Sequence, residues 1–248
     1  RLGARMAAYD FASTRLFVED ALGEGAEIAL GDQPANYVRN VMRMKEGDGL
    51  LLFNGRDGEW GARLTEVAKK RVVLAAEKRI REQTPHPTLR YLFAPLKHAR
   101  LDYMVQKAVE MGAGRLSPVI TRRTQASRVN VDRMRANAVE AAEQCGILSI
   151  PQIDEPEQLA RTIQSWPSEA PLIFCDEEGG DPATVLSSLK GQPLGVLIGP
   201  EGGFDEAERA MLLRVPSVVR LSLGPRILRA DTAAVAALAV AQSAAGDW

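Results

Sequence analysis

The sequence predicts an α/β protein with a mostly parallel sheet, preceded by a small β-barrel domain. From residue 89 onwards, short apolar segments alternate with amphipathic helical segments, which is the pattern of parallel βα units. Before residue 84, short strand-like segments follow one another closely, as in small barrels. The prolines at 85 and 87 disfavour helix at the residues before them. We therefore expect one domain over residues 1–83 and a second over residues 84–248.

The predicted barrel contains four strands and one helix. The helix covers residues 35–44, with Val38, Val41 and Met42 at helical spacing on one apolar face. Asn54 and Gly55 form a pair typical of a tight turn. The predicted strands are residues 15–18, 49–54, 59–67 and 71–77.

The second domain is predicted to contain five strands and four helices. Two of its strands are continuously apolar, which is typical of strands covered on both faces. The predicted strands are residues 89–94, 116–120, 171–175, 194–198 and 218–223. The predicted helices are residues 100–111, 132–144, 205–214 and 232–245.

The composition indicates a globular protein and excludes several classes of site. Of 248 residues, 46% are hydrophobic and 25% charged, unlike a disordered or fibrous chain. Two cysteines (145 and 175) and two histidines (86 and 98) exclude a disulfide framework and a multi-histidine or cysteine-rich metal site. We therefore expect no metal.

The location of the protein is predicted from what the sequence lacks. No apolar run approaches the about 20 residues that span a bilayer, and no secretory leader is recognisable. We therefore expect a cytoplasmic protein with no membrane partner. Because the chain starts at Arg1, we expect residues 1–5 to be either vector-derived or an incomplete end, with Met6 as the native start in the first case.

The charge is unevenly distributed along the chain. The net charge is −1, but residues 81–135 hold 11 basic and four acidic residues, which gives +7. Arginines such as Arg122 and Arg123 in such a block suit contacts with phosphates. The alternative is a solvated helix face.

A glycine-rich segment, residues 199–203, lies between a predicted strand and a helix. Ligands of open α/β sheets collect at the carboxyl ends of the strands, and glycines allow close approach to the backbone. Four carboxylates between Glu201 and Glu208 would repel a phosphate, so the loop favours a neutral or cationic ligand. The alternative is a capped strand-to-helix turn, since Asp205 and Glu208 have capping-box spacing.

A second candidate loop, residues 223–232, also joins a strand to a helix. Its Gly224–Pro225 pair predicts an irregular backbone whose unpaired groups suit the edge of an adenine. Arg226, Arg229 and Asp231 place charge in a largely apolar segment. Asp231 or Thr232 has an alternative role as the cap of the last helix.

These segments together resemble a known family. The chain is similar to the knotted SPOUT-class RNA methyltransferases, and within that class to the ribosomal RNA small subunit methyltransferase E family, the 16S rRNA (uracil-1498-N3)-methyltransferases. The resemblance extends over nearly the whole chain. The matching segments are residues 15–17, 41–43, 106–112, 140–146, 199–203 and 223–233.

The resemblance implies a fold, a cofactor and a site. The fold would be a PUA-like barrel joined to an α/β domain with a deep trefoil knot, and the protein would be a homodimer. S-adenosylmethionine would bind in the knot loops. The implied cofactor residues are Phe174, Cys175, Ile198, Gly199, Pro200, Glu201, Gly202, Leu223, Gly224, Pro225, Ile227, Leu228 and Thr232.

The implied partner is the 16S rRNA of the small ribosomal subunit. The RNA surface would comprise Arg15, Arg43, Lys97, Arg123 and Gln144, with Arg122 added from the basic block. Four positions depart from the family pattern. Tyr37, Asn40 and Ile147 stand where histidine, arginine and arginine are usual, and Asp231 stands where glutamate is frequent.

Methylation of uracil N3 requires loss of the N3 proton. We expect Arg229 to stabilise the uracil anion, with Asp231 and Glu201 as candidate bases. Two alternatives stay open at this point. One is another SPOUT methyltransferase, acting on transfer RNA or ribosomal RNA, and the other is a non-enzymatic RNA-binding or ribosome-assembly protein.

Overall fold

The computed structural model describes residues 13–97, 99–126, 128–246 and 248. The expectations about residues 1–5 and Met6 lie outside these residues. The chain divides into two compact units. The first extends to Pro85 and includes Ala142–Ile150, and the second comprises His86–Ala141 and Pro151–Trp248. The functional limits 1–83 and 84–248 stay a prediction.

The first unit is built on a curled five-stranded sheet. Its strand order is β1-β3-β4-β5-β2, with β1 parallel to β3 and the other pairs antiparallel. Side chains such as Leu52, Leu64 and Leu74 fill its interior, as expected for a barrel-like domain. All four predicted strands are present, and only the three-residue β2 was missed. The strands are β1 Arg15–Phe17, β2 Glu27–Ala29, β3 Gly49–Phe53, β4 Glu59–Val67 and β5 Val72–Arg81.

The predicted helix over residues 35–44 is wrong in both extent and buried face. The segment forms helix α1 (Asp32–Asn36) and then a π-helical turn (Tyr37–Val41). In a π turn the hydrogen bond spans five residues, so one extra residue enters the turn and later side chains rotate away from their α-helical positions. Val38 is buried, but Val41 and Met42 are 61% and 41% exposed.

The second unit contains a seven-stranded sheet whose pairings are all parallel. The strand order is β12-β10-β11-β6-β7-β8, and β9 pairs with β7. The predicted α/β class is therefore confirmed. Strands β8 and β9 have two residues each, which is too short for a periodic pattern, and they were not predicted. The strands are β6 Arg90–Phe93, β7 Arg115–Ile120, β8 Gln152–Ile153, β9 Glu157–Gln158, β10 Leu172–Gly180, β11 Gly195–Ile198 and β12 Val218–Leu221.

Six further α-helices follow α1 in the described residues. They are α2 Ala99–Glu110, α3 Val131–Cys145, α4 Leu159–Gln164, α5 Pro182–Leu186, α6 Glu206–Leu213 and α7 Ala230–Ala245. Helix α7 follows edge strand β12 but packs against the more central β11 and against α2 and α5. Its buried alanines, among them Ala234, Ala237 and Ala241, permit this close packing. The trefoil knot itself stays a prediction.

No helix in the described part of the chain combines the length and the apolar character needed to cross a bilayer.

The amino ends of β6 and β7 carry a partly buried ion cluster. Asp154 accepts hydrogen bonds from Arg115 at 2.8 Å and from Ser117 at 2.6 Å. Burial acts to raise the pKa of Asp154, but these hydrogen bonds and the charges of Arg115 and Arg90 outweigh it and hold the pKa below its usual 3.8. In the first unit, bonds from two arginines likewise outweigh burial and lower the pKa of Glu59 from 4.5.

We expect the protein to lose stability in acid because of these two carboxylates. Each has a lower pKa in the folded state, so its contribution is complete above about pH 5 and is lost as the pH falls through the folded-state value. Melting temperatures measured by calorimetry should fall between about pH 6 and about pH 3, and less so in Asp154→Asn. Equal melting temperatures of the unmodified chain at both pH values would contradict this.

Candidate active site

Three chain segments enclose a cavity at the carboxyl edge of the parallel sheet. They follow β11 and β12 and include the later part of β10. The cavity has a volume of about 590 Å³, within the range of small-molecule sites. Its lining comprises Arg100, Cys175, Asp176, Glu177, Ile198, Gly199, Pro200, Glu201, Gly203, Phe204, Ser222, Leu223, Gly224, Arg226, Ile227, Leu228, Arg229, Ala230 and Ala233.

The turn after β11 is tight because Gly199 leaves room for an aromatic ring. A Cβ atom on Gly199 would lie 2.6 Å from the ring of Phe204. Phe204 lines the cavity, and the buried ring of Phe174 packs edge-on against it at a centroid distance of 5.4 Å. Phe174 therefore supports the wall from behind. Neither Phe174 nor Gly202, both predicted to bind the cofactor, is among the lining residues.

The turn after β12 forms the opposite wall. Gly224 has a φ of 96°, a conformation that L side chains rarely adopt. Leu223, Ile227 and Leu228 line the cavity as predicted, and Ile227 is 92% exposed at the rim. Pro225 and Thr232 are not among the lining residues.

Helix α7 begins at Ala230, so the N-cap position belongs to Arg229 and not, as predicted, to Asp231 or Thr232, and the Arg229 side chain makes no cap hydrogen bond. Asp231 lies in the first turn, where its carboxylate accepts a hydrogen bond from the backbone N–H of Thr232 at 2.9 Å. Asp231 therefore satisfies one of the free N–H groups at this helix end.

The third wall belongs to β10. Cys175 lies there as predicted, followed by Asp176 and Glu177, which the sequence analysis missed. Asp176 accepts hydrogen bonds from Arg209 at 3.0 Å and from Arg220 at 2.9 Å. The run of three acidic residues, 176–178, directly after Cys175 was the only available signal.

The thiol of Cys175 is expected to be unreactive. Burial raises its pKa to about 12, and the thiolate is the reactive form. In a Cys145→Ser variant, which keeps Cys175 as the only cysteine, reaction with a disulfide reagent should stay slow up to about pH 9. A rate that levels off near neutral pH would show a low pKa and contradict this environment.

Arg100 joins two of the predicted catalytic residues. It lies in the first turn of α2, lines the cavity and donates a hydrogen bond to Glu201. Its Nε atom also lies 3.9 Å from a carboxylate oxygen of Asp231. The basic-block pattern alone did not distinguish Arg100 from its neighbours. One guanidinium group therefore lies beside both candidate bases and forms a hydrogen bond with Glu201.

Arg229 differs from these two carboxylates. It lines the same cavity and is exposed. Within the described part of the chain, no carboxylate forms an ion pair with it. Its guanidinium group is therefore able to bind an anionic group that enters the cavity.

The glycine-rich loop is fixed from outside by Arg122, Arg123 and the start of α6. Asp205 and Glu208 form the predicted capping box, with N–H to carboxylate distances of 2.7 and 3.1 Å. Arg122 forms an ion pair with Asp205 at 3.2 Å, and Arg123 donates to the carbonyl of Gly202 at 2.7 Å. The loop thus has both proposed roles, a capped turn and a cavity wall.

Arg15 is not a surface residue, which corrects its predicted contact with RNA. The side chains of Arg15 and Glu59 are each 1% exposed and are joined at 2.6 Å. Arg15 also donates to the carbonyls of Ala142 and Ile147. All of these residues belong to the first unit. Arg15 therefore holds residues 142–150 to the sheet.

The other predicted RNA residues are exposed but are distributed over both units. Arg43 and Gln144 belong to the first unit, and Lys97, Arg122 and Arg123 to the second.

Most cations of the basic block, residues 81–135, form ion pairs with carboxylates of the protein itself. The net charge of +7 for this block therefore overstates the positive charge that is available to RNA. Arg81, Arg90, Arg100, Lys107, Arg115, Arg122, Arg133 and Arg135 all form ion pairs with carboxylates.

The described residues contain no group of three or more histidine, cysteine, aspartate or glutamate side chains that could hold a metal ion.

Comparison with known families agrees with this architecture. Residues 82–242 match an RNA methyltransferase domain, and residues 30–77 match an RNA methyltransferase PUA domain. The fold, the cavity and these two matches define the protein as an RNA methyltransferase with an accessory PUA domain.

Relatives define the family more closely. The ribosomal RNA small subunit methyltransferase E of Rickettsia conorii is 32% identical over 231 residues, 91% of this chain and 93% of its own. The enzyme of the same name from Bacillus subtilis is 28% identical, covering 90% and 94%. The chain belongs to the ribosomal RNA small subunit methyltransferase E family.

Solved structures share this fold over almost their full length. A putative methyltransferase of Legionella pneumophila, in complex with S-adenosylmethionine, superposes with a TM-score of 0.85 at 28% identity and covers 95% of this chain and 99% of its own. The ribosomal RNA small subunit methyltransferase E of Neisseria gonorrhoeae, bound to S-adenosylmethionine, gives 0.84 at 26% identity with the same coverage.

Proposed function

We propose that this protein transfers a methyl group from S-adenosylmethionine to N3 of uridine 1498 in 16S rRNA. The observation that carries the proposal is the cavity at the carboxyl edge of the sheet, where turns predicted to bind the cofactor meet beside Arg229, with which no carboxylate of the described residues forms an ion pair. The family of the chain and its PUA-domain match support an RNA substrate.

The residues of the cavity fit this cofactor. Its apolar surfaces, such as Ile198, Phe204 and Leu228, suit an adenine ring. The exposed carboxylate of Glu177 suits the positive charges of the sulfonium and ammonium groups, and so does that of Glu201, which also forms an ion pair with Arg100. When bound, S-adenosylmethionine supplies an electrophilic methyl group.

The protein's own part in the reaction is to bind the uracil and stabilise the form that has lost its N3 proton. N3 lies on the Watson–Crick edge, so the base has to be unpaired before it enters the cavity. The negative charge that develops on the ring attracts the guanidinium group of Arg229, which no ion pair in the described structure neutralises. Arg229 remains our first choice for this role.

Arg100 lies close to the carboxylates of both candidate bases, Glu201 and Asp231. A carboxylate oxygen that already accepts a hydrogen bond from a guanidinium group cannot accept a proton through the same lone pair. Glu201 is bound in this way, and Asp231 lies near the same group. A carboxylate has about four lone-pair sites, so Glu201 keeps further sites open to a proton. Asp231, at 3.9 Å, makes no hydrogen bond to Arg100 in the described structure.

We propose that the protein acts as a homodimer in the cytoplasm, and that Lys97, Arg122 and Arg123 in one unit and Arg43 and Gln144 in the other contact the small-subunit rRNA.

Transfer of tritium from labelled S-adenosylmethionine to small ribosomal subunits that lack the modification tests the activity. We expect label in the 16S rRNA. A non-enzymatic assembly protein would bind RNA but give no label, and calorimetry would then detect no binding of S-adenosylmethionine. Label in transfer RNA instead would indicate a different substrate within the same class.

A further inference from the structure

Strand β10 bulges where it reaches the cavity. Cys175 and Gly180 both pair with Leu221 of β12, so the four residues between them, 176–179, have no partner in that strand. The bulge lies close to β12 because Gly179 has no side chain, and a Cβ atom there would lie 2.4 Å from the carbonyl carbon of Leu221. Bulges often redirect side chains beside active sites, and this one brings acidic residues to the cavity wall.

Two arginines hold the bulge in place. Arg209 places one nitrogen, Nη2, 3.0 Å from a carboxylate oxygen of Asp176 and 2.6 Å from one of Glu178. Arg220 donates to the same two carboxylates, from Nε to Asp176 at 2.9 Å and from Nη2 to Glu178 at 3.1 Å. The side chain of Asp176 is only 8% exposed, so water screens its ion pairs less than those of a surface pair. Both carboxylates that flank Glu177 are therefore fixed.

This ion cluster, formed by Asp176, Glu178, Arg209 and Arg220, connects the three walls of the cavity. Its carboxylates belong to β10. Its arginines belong to α6, which follows the glycine-rich turn after β11, and to β12, which leads into the second turn. One cluster thus fixes the wall that carries Glu177 relative to the other two walls.

Glu177 differs from its two acidic neighbours. It lines the cavity, is exposed, and forms no ion pair with any of the described residues. Glu201, the other carboxylate of the cavity that suits a cation, is paired with Arg100. Asp176 is paired with Arg209 and with a second arginine. The charge of Glu177 is therefore the one that is available to a cationic ligand without the loss of an existing ion pair.

We propose that Arg209 and Arg220 are positioning residues for the cofactor, because they hold the bulge so that the carboxylate of Glu177 binds the ammonium group of S-adenosylmethionine. An ammonium group donates three hydrogen bonds, which a carboxylate accepts, whereas a sulfonium group has no N–H or O–H to donate. A carboxylate that is held in place before binding loses less conformational entropy when the ligand arrives. The inference rests on the proposed function and adds the residues that prepare the cofactor site.

Calorimetry with the full-length protein tests this role by comparing three ligands. Glu177→Gln should weaken binding of S-adenosylmethionine about tenfold. S-adenosylhomocysteine keeps the ammonium group but lacks the sulfonium charge, so its binding should weaken equally. Binding of 5′-methylthioadenosine, which lacks the amino acid part, should not change. Arg214→Ala, at an exposed arginine that ends α6, is the matched control and should bind all three ligands like the unmodified chain.

The positioning role is tested by variants of the ion cluster. Arg209→Ala should weaken binding of S-adenosylmethionine about fivefold. Arg209→Lys should restore most of the affinity, because a single nitrogen of Arg209 contacts both carboxylates. In Arg209→Ala the KM for the cofactor should rise in proportion, while kcat at saturating cofactor stays unchanged. Glu178→Gln, at a 74% exposed side chain, should weaken binding about threefold and tests the cluster even if Arg209→Ala does not fold.

A double variant separates positioning from a general structural effect. If Arg209 acts through Glu177, Arg209→Ala/Glu177→Gln should bind S-adenosylmethionine no more weakly than Glu177→Gln alone. Additive losses, or an equal loss of affinity for 5′-methylthioadenosine, would show a structural role and overturn the proposal. So would unchanged affinity for S-adenosylmethionine in Glu177→Gln. Weaker cofactor binding by these variants in a protein that methylates no ribosomal RNA would support the positioning role and contradict the proposed function.

Discussion

Replacing Arg229 with alanine is expected to reduce the rate of methyl transfer by about 10²–10³-fold, the usual effect of removing one group that stabilises a developing anion. Arg229 lines the cavity, and no carboxylate in the described structure forms an ion pair with it. Because its role concerns the uracil anion, the affinity for S-adenosylmethionine should change by no more than about twofold. Single-turnover rates with small ribosomal subunits and calorimetry with the cofactor measure the two quantities.

Two further variants serve as controls for Arg229→Ala. Arg229→Lys keeps the charge but not the planar geometry and should recover part of the rate. Arg214→Ala removes an exposed arginine at the end of α6, outside the cavity lining, and should leave the rate unchanged. An Arg229→Ala protein as active as the unmodified chain would remove this assignment and leave Arg100 or Arg226 as the remaining cations of the cavity.

Replacing Arg15 with alanine is expected to destabilise the first unit by about 3–5 kcal/mol, since it leaves the buried carboxylate of Glu59 with one of its two arginine partners. It also removes the hydrogen bonds that hold the carbonyls of Ala142 and Ile147. Thermal unfolding should show a fall in melting temperature of roughly 6 °C or more.

The control for Arg15 is an exposed ion pair on the same sheet. Arg63 and Glu77 are joined at 2.7 Å, but their side chains are 53% and 49% exposed, so Arg63→Ala should hardly change the melting temperature. If Arg15→Ala melted like the unmodified chain but bound 16S rRNA less tightly, the structural role would be wrong and the original prediction of an RNA contact would regain support.

Much of the fold could be predicted from the sequence because its elements have strong periodic signals. The apolar segments 172–175 and 195–198 and the helix 99–110 are long or apolar enough to identify, whereas the acidic continuation of β10 over residues 176–180 was not predicted. The helix around Tyr37 was misjudged because apolar spacing alone cannot distinguish an α turn from a π turn. In that segment one extra residue in the turn exposes Val41 and Met42.

The cavity could be predicted to a similar extent. Its glycine turns were recognisable, because a turn at the carboxyl edge of a parallel sheet needs residues such as Gly199 and Gly224. The pairing of charges could not be predicted. Nothing in the sequence distinguishes Arg15, buried against Glu59, from an exposed arginine, or Arg100, bound to Glu201, from its neighbours in the basic block. Such pairings depend on contacts between residues far apart in the chain.

The most direct test of the proposed reaction is to identify the nucleotide that carries the methyl group. Small ribosomal subunits that lack the modification are incubated with the protein and S-adenosylmethionine, and the 16S rRNA is digested and sequenced by mass spectrometry. We expect one added methyl group, on N3 of uridine 1498. A methyl group on another nucleotide or on a ribose, or an unmodified RNA, would contradict the proposed function.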